Sequence, residues 1–426
     1  MANIIEHAHE RLGDSYFEVK HESGLTILVY PKPGYSTSYA VIGTNYGSID
    51  DAIKSEGGEE TVLPWGTAHF LEHKLFESEE LDAFERFAET GAYANAYTSF
   101  DRTCYLFSCS SGFAKNLEIL LDFVQHPYFT EETVQKEQGI IGQEIRMYLD
   151  EPGWQVLFNL LRALYQKHPI KIDIAGTEES ISHITADLLY NCYEHFYNLH
   201  NMVLACAGNV TVDEVLEVCD RLLETRPDTG VVRPARDEPA DIVQKSIAQE
   251  FPVTIPSFSL GFKETHETPI RTIRERLLTD LLLDCIAGET SELYERLLRE
   301  GLIDGSFGYE YFAGPGYATV IFEGRSRDPE AVAEAIKAEV RKVRASGIDP
   351  EDFDRVRKMN YGQSVMGYND IDGLANSLIG AYFNGAELFE ELDLYGELTV
   401  EDANAQLQWQ MDEAYSALSV VHGPEK

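Results

Sequence analysis

The chain is poor in basic residues: 34 Lys and Arg stand against 73 Asp and Glu, a formal net charge of −39 over 426 residues. Such a balance repels phosphate backbones and anionic lipid headgroups, which excludes nucleic acid and membrane surfaces as expected partners. Long apolar runs are missing too, and no stretch suffices to span a bilayer. The opening Met1-Ala2-Asn3-Ile4-Ile5-Glu6 has neither the basic cluster nor the apolar core of a signal or transit peptide, so none is expected. The six cysteines are scattered without a C-x-x-C, and Cys104 and Cys109 stand an odd number of residues apart on one strand. No disulfide framework follows from that pattern; reduced thiols in a cytoplasm do. What remains is the hydrophobic and charged balance of an ordinary globular chain, long enough for two domains with separate cores.

One short segment carries chemistry. Gly66-Thr67-Ala68-His69-Phe70-Leu71-Glu72-His73 is an H-x-x-E-H inside an apolar-periodic run. On a helix His69 and His73 project from one face a turn apart, so two imidazoles can share one metal ion, with Glu72 close enough to accept a proton from water. This is the logic of H-E-x-x-H zinc hydrolases with the inner residues inverted. A pair of histidines on a helix face is more often an ordinary surface or core feature, and a third ligand has to decide. A carboxylate is offered by 130–147, where Thr130 followed by Glu131 and Glu132 reads as an N-cap with an acidic first turn and Pro152-Gly153 closes the segment. Glu137 and Glu144 are seven apart and share a face among Val134, Ile140, Ile141 and Met147. Carboxylates beside an apolar stripe need partners. Behind an H-x-x-E-H, one becomes a candidate ligand and the other its support.

Tyr93 to Phe107 is rich in aromatic and β-branched residues and is broken by Phe100-Asp101-Arg102, which reads as a hairpin. Small Ala94 and Ala96 would let another backbone approach.

Gly66 to Phe76, Ala92 to Thr98 and Glu137 to Glu144 together resemble the three signatures of the insulinase/pitrilysin peptidases, the inverzincins that include processing peptidases of the mitochondrial type. His168-Pro169 through Ala175 to Ile181, and Phe196-Tyr197 through Asn201 to Val210, extend the likeness over the first half, most similar to the bacterial branch of about this length. The resemblance implies that His69, His73 and Glu144 bind one Zn²⁺, that Glu72 is the general base and that Glu137 supports the site. It implies further that Asn95 and Ala96 lie on an edge strand to which a peptide substrate adds as a further strand.

A turn-rich, charged stretch at 228–240 reads as a linker between an N-terminal zinc-bearing domain, 1–227, and a C-terminal homologous domain without metal ligands, 241–426. A shift of 220 residues places Thr130-Glu131-Glu132 on Pro350-Glu351-Asp352 and Gly142-Gln143 on Gly362-Gln363, a weak internal repeat. In the second copy Glu137 falls on Arg357 and Glu144 on Ser364, and the helix expected over Ile270 to Ala287 has no histidine. Strands at Gly24–Pro31 and Ser38–Tyr46 and helices at Lys115–Val124, Thr130–Leu149, Leu160–Tyr165 and Asp187–Tyr197 predict an α+β fold. Each half is a mostly antiparallel sheet with helices packed on one face. The family likeness implies that the two halves face each other as a clam shell.

Family members with a complete site carry an Arg and a Tyr seven residues apart in the C-terminal half. Here Arg296 is followed seven later by Ile303 and Arg299 by Ser306, so the pair is absent. The resemblance then implies a heterodimer with a zinc-free paralogue supplying that pair, with a homodimer using Tyr309 or Tyr311 as the less favoured arrangement. The expected activity is zinc-dependent endoproteolysis of peptides or unfolded segments. The rival readings are a non-catalytic interaction subunit or a maturation factor for one cytosolic protein. The acidic charge has two open explanations: an outer surface made acidic for solubility, or a chamber lining that favours basic peptides.

Overall fold

The structure, a computed structural model, describes residues 3–54, 57–79, 81–234, 236–265 and 271–424. The chain folds into two compact units, each with its own apolar core. The strands of the first are β1 (Asn3–His9), β2 (Asp14–Lys20), β3 (Thr26–Pro31), β4 (Ser38–Thr44), a short ribbon of β5 (Ala52–Ile53) and β6 (Thr61–Val62), then β7 (Tyr93–Thr98), β8 (Thr103–Cys109) and β9 (Met202–Gly208). Val, Ile and Tyr dominate β3 and β4, residues whose branched or flat side chains suit a pleated surface. The main sheet runs β1-β2-β3-β9-β4-β8-β7, antiparallel throughout except for β3 beside β9.

The second unit contains β10 (Ser246–Glu250), β11 (Ser257–Lys263), β12 (Gly308–Gly314), β13 (Tyr317–Arg325) and β14 (Ser416–His422), in the order β10-β14-β11-β13-β12. Its single parallel pair is β10 with β14. Laid on the first sheet, this order repeats β3-β9-β4-β8-β7 strand for strand, the parallel pair included. The weak repeat in the sequence is therefore a repeat of topology, and the fold is α+β with two similar units.

The units are not the contiguous segments 1–227 and 241–426. Arg146–Ile172 belongs to the second unit and Val365–Phe389 to the first. The helix Pro152–Leu164 lies against β14 and β11, and the helix Ile371–Phe383 lies against β9 and β4, so each half gives one helix to the other's sheet. Gly261 on β11 makes room for this: a Cβ there would come within 2.9 Å of Leu160 and Leu164 side-chain atoms. The exchanged helix also explains why β4 and β9 are buried along their whole length, where a one-sided sheet would alternate. Ala40 and Ile42 point into the main core, while Tyr39 meets the exchanged helix at Asn376, whose Nδ2 donates to Tyr39 Oη at 3.1 Å. Helices thus cover both faces of the central strands rather than one.

The remaining expectations meet the structure with small shifts. The Phe100-Asp101-Arg102 break is the β7–β8 turn, closed by Ser99 N–H donating to Arg102 C=O at 2.8 Å and by Arg102 paired with Asp101. Pro152, expected to close a helix, is instead at the start of the next one, where its missing N–H costs nothing. Of the helix expected over 270–287, Ile273–Ala287 forms and Ile270 lies outside the described residues. All six cysteines are free thiols, five of them buried. No helix among the described residues is long and apolar enough to cross a membrane.

Candidate active site

The helix Thr67–Leu75 presents the histidines and begins at Gly66, whose φ of 87° lies in the left-handed region that favours glycine. A Cβ there would sit 2.4 Å from the Ala175 carbonyl oxygen, so the helix start is pressed against the 175–176 backbone. Thr67 Oγ1 donates to Pro64 C=O at 2.6 Å and fixes the entry of the chain. From this helix His69 and Glu72 are buried and His73 is half-buried. The two imidazole rings lie 4.6 Å apart at 60°.

The helix Glu131–Leu149 supplies the carboxylates. Glu144 Oε1 is 3.7 Å from His69 Nε2 and its Oε2 is 3.6 Å from His73 Nε2; one donor atom from each residue lies within 4.8 Å of the other two. These separations are too long for hydrogen bonds and close to the edge of a tetrahedron of ligands about 2.1 Å from a zinc ion, roughly 3.4 Å. Two imidazoles and one carboxylate, with a further position left open, are a donor set of hydrolytic zinc sites, and the residues fit that ion. Glu137, buried on the same helix, accepts from His73 Nδ1 at 2.9 Å and so turns Nε2 toward Glu144. His69 Nδ1 is buried with no hydrogen-bond partner among the described residues, so that ring lacks the support Glu137 gives to His73.

The electrostatics suit metal binding. Burial, and then the neighbouring His73, push the His69 pKa down to about 3, keeping its lone pair available. For His73 burial opposes the charged form, but the Glu137 hydrogen bond and the charges of Glu72, Glu137 and Glu144 outweigh it and lift the pKa. A metal cation would take that proton's place. Burial raises the pKa of Glu72, a shift restrained by the Thr98 hydroxyl and N–H and by His73. Thr98 Oγ1 donates to Glu72 Oε2 at 2.7 Å. Thr98 lies within the Ala92–Thr98 signature, but nothing in the sequence gave it a role; its signal was only its place at the end of an aromatic-rich strand.

Asn95 and Ala96 lie on β7, the edge strand beside β8. Asn95 Oδ1 accepts from the Ala96 N–H at 2.9 Å, and its Nδ2 donates to Tyr93 Oη at 3.1 Å. In the second unit the counterparts of the two glutamates do other work. Ser364 donates to Glu391 at 2.6 Å, and Arg357 donates to the Tyr395 and Leu398 carbonyls and to Asp354. The hydroxyls of Tyr309 and Tyr311 donate to Asp284 and Glu264.

A partly buried His-His-Glu constellation with a second carboxylate, that of Glu72, beside it, on a duplicated α+β fold, is the kind of centre that hydrolytic metalloenzymes build. Residues 53–178 match the family "Insulinase (Peptidase family M16)", and residues 183–360 match "Peptidase M16 inactive domain". The uncharacterized zinc protease YmfH of Bacillus subtilis is 38% identical over 406 residues, covering 94% of this chain and 95% of that protein. The mitochondrial-processing peptidase subunit beta of Neurospora crassa is 30% identical over 223 residues, 50% of this chain and 44% of that one. Among solved structures, an M16-like protein from Alicyclobacillus acidocaldarius superposes with a TM-score of 0.92 at 34% identity, covering 99% of both chains. Pitrilysin shares the fold at a TM-score of 0.80 and 16% identity, with all of this chain on 47% of that one. The chain belongs to the insulinase family of peptidases.

Proposed function

We propose that this chain is a zinc metalloendopeptidase that hydrolyses peptides or unfolded polypeptide segments. The observation that carries the reading is the convergence of His69, His73 and Glu144 donor atoms within 4.8 Å, with Glu72 one residue from a ligand and buried beside them. His69, His73 and Glu144 would hold the ion. When bound, zinc supplies Lewis-acid polarisation of a carbonyl and lowers the pKa of water. Glu72 accepts the proton released on attack and returns it to the departing amine, a task suited to a carboxylate whose pKa is raised by burial. Glu137 fixes the tautomer and direction of His73. Asn95 and Ala96 hold the peptide main chain at the edge of β7.

The chain acts as the metal-bearing subunit of a two-subunit peptidase. Support comes from the absent Arg/Tyr pair and from the hydroxyls of Tyr309 and Tyr311, each already bonded to a carboxylate. The N. crassa relative is itself named as a subunit. A zinc-free paralogue would supply the pair; a homodimer is the less favoured arrangement. Six free thiols fit a cytoplasmic setting. The rival reading, a non-catalytic interaction subunit or a dedicated maturation factor, draws on the match of 183–360 to an inactive domain. That match lies outside the segment bearing the four site residues, which favours catalysis.

The test is cleavage of a mixture of unstructured peptides by zinc-loaded chain, read by mass spectrometry, with Glu72→Gln as the blank. Turnover is expected in the wild type once the paralogue is added, and not in the blank; turnover by the chain alone would show that no foreign Arg/Tyr pair is needed. Glu72→Gln should retain zinc and His73→Ala should lose it. Full zinc retention in His73→Ala would sink the ligand assignment.

A further inference from the structure

Strand addition to a sheet edge has no intrinsic register, because every second residue offers the same outward pair of main-chain groups. A peptidase that binds this way needs something to stop the incoming strand at a defined place. Thr98, the last residue of β7, is shaped for that. Its hydroxyl has one proton, which goes to Glu72 Oε2 at 2.7 Å. The other hydroxyl in reach, Thr103 Oγ1 at 3.4 Å, spends its own proton on the Tyr46 carbonyl at 2.9 Å. The Glu72 carboxylate held in this way also feels the Thr98 N–H, which helps to restrain the rise of its pKa on burial. Two residues earlier, on the same side of the strand, the Ala96 N–H is met, among the described residues, by the side chain of exposed Asn95 at 2.9 Å.

The two edge donors are therefore unequal. The one at Ala96 is covered by a solvent-exposed amide that a peptide carbonyl can displace. The one at Thr98 belongs to a residue whose own hydroxyl holds a buried carboxylate of the histidine helix at 2.7 Å.

We infer that Thr98 is a positioning residue that aims the Glu72 carboxylate and closes the free edge of β7, so that an added peptide strand ends its pairing at Ala96, beside the base. The inference rests on the peptidase reading above and adds to it a device that selects which bond is cut. Thr98 itself need not touch the reacting atoms. Its hydroxyl keeps Glu72 at one rotamer, and Glu72 in turn keeps the Thr98 N–H from the substrate. Release of the carboxylate would free that donor and let a peptide slide by two residues, the repeat of the strand.

The test compares zinc-loaded wild type, Thr98→Val and Thr98→Ser, where valine matches the shape without the hydroxyl and serine restores it. In crystal structures of the three, the Glu72 carboxylate is expected to leave its wild-type position in Thr98→Val and to keep it in Thr98→Ser. With peptides, Thr98→Val should lose roughly 10- to 100-fold in kcat, the equivalent of one hydrogen bond to a charged group, with zinc content unchanged. It should also cut at additional bonds two residues from the wild-type site, and Thr98→Ser should recover both rate and site. An unmoved Glu72 in Thr98→Val, or a serine variant as impaired as the valine one, overturns the inference. Were the wild type to cut nothing, with or without the paralogue, the peptidase reading would fail, and the crystal structures would still decide whether Thr98 positions Glu72.

Discussion

Removing Glu137 should weaken zinc binding without touching a ligand. Its Oε1 accepts from His73 Nδ1 at 2.9 Å, and its side chain is only 8% exposed, so water cannot readily take its place. In Glu137→Ala the imidazole loses the partner that sets its tautomer and its direction toward Glu144. Loss of such a support typically costs 10–100-fold in metal affinity, about 1.4–2.7 kcal/mol. Glu137→Gln keeps an acceptor but not the charge, and should fall between. The pH dependence has a definite sign. Glu137 is the leading partner that raises the His73 pKa, so wild-type His73 holds a proton that zinc must displace to a higher pH than the variant does. The affinity gap is therefore expected to be widest in mildly alkaline buffer and to narrow as the pH falls. Chelator competition at several pH values measures it directly. An alkaline Kd for Glu137→Ala within twofold of the wild type would refute the reasoning.

Two further perturbations probe the framework. Gly66→Ala forces a Cβ to within 2.4 Å of the Ala175 carbonyl at a φ of 87°, and should cost about 2–4 kcal/mol in urea denaturation; a loss under about 1 kcal/mol would show that the helix start can yield. Asp280 is exposed at its surface, yet crowding by the surrounding protein, and then the charges of Asp284 and Glu391, push its carboxyl up to about 7, a shift that solvent screening reduces. An acid with a raised folded pKa destabilises the fold progressively as pH climbs from its unfolded value to its folded one. Asp280→Asn should therefore raise Tm more at about pH 8 than at about pH 5, and an equal gain at both would contradict the charge assignment.

The parts of this molecule that sequence made legible are those whose information is local. The spacing of His69 and His73 needs only the pitch of a helix, and the β7–β8 hairpin needs only its aromatic run and the turn at Phe100–Arg102. Glu137 and Glu144 were narrowed to a pair by their shared face, and family likeness separated their roles. The helix exchange was not legible, because Pro152–Leu164 and Ile371–Phe383 are ordinary apolar helices whose partners are set by tertiary packing. The strand β1 is not legible because five of its seven residues, Asn3 to Glu6 and Ala8, are solvent-exposed, leaving no alternation to read. Thr98 has no role legible in the sequence, since a hydroxyl at a strand end acquires meaning only once Glu72 is seen across from it.

The crossed helices also set a timetable for synthesis. When Gly208 leaves the ribosome the first sheet is complete in its strands, but the face of β4 and β9 that awaits Ile371–Phe383 is bare. About 175 residues must still be translated before that helix exists, a delay of roughly 9–35 s at ordinary elongation rates. During that interval the nascent chain carries an uncovered apolar surface and depends on the rest of its own message. Separately expressed halves cut at 228–240 would inherit the same defect on both sides, and each could heal it only by capturing the helix of the other.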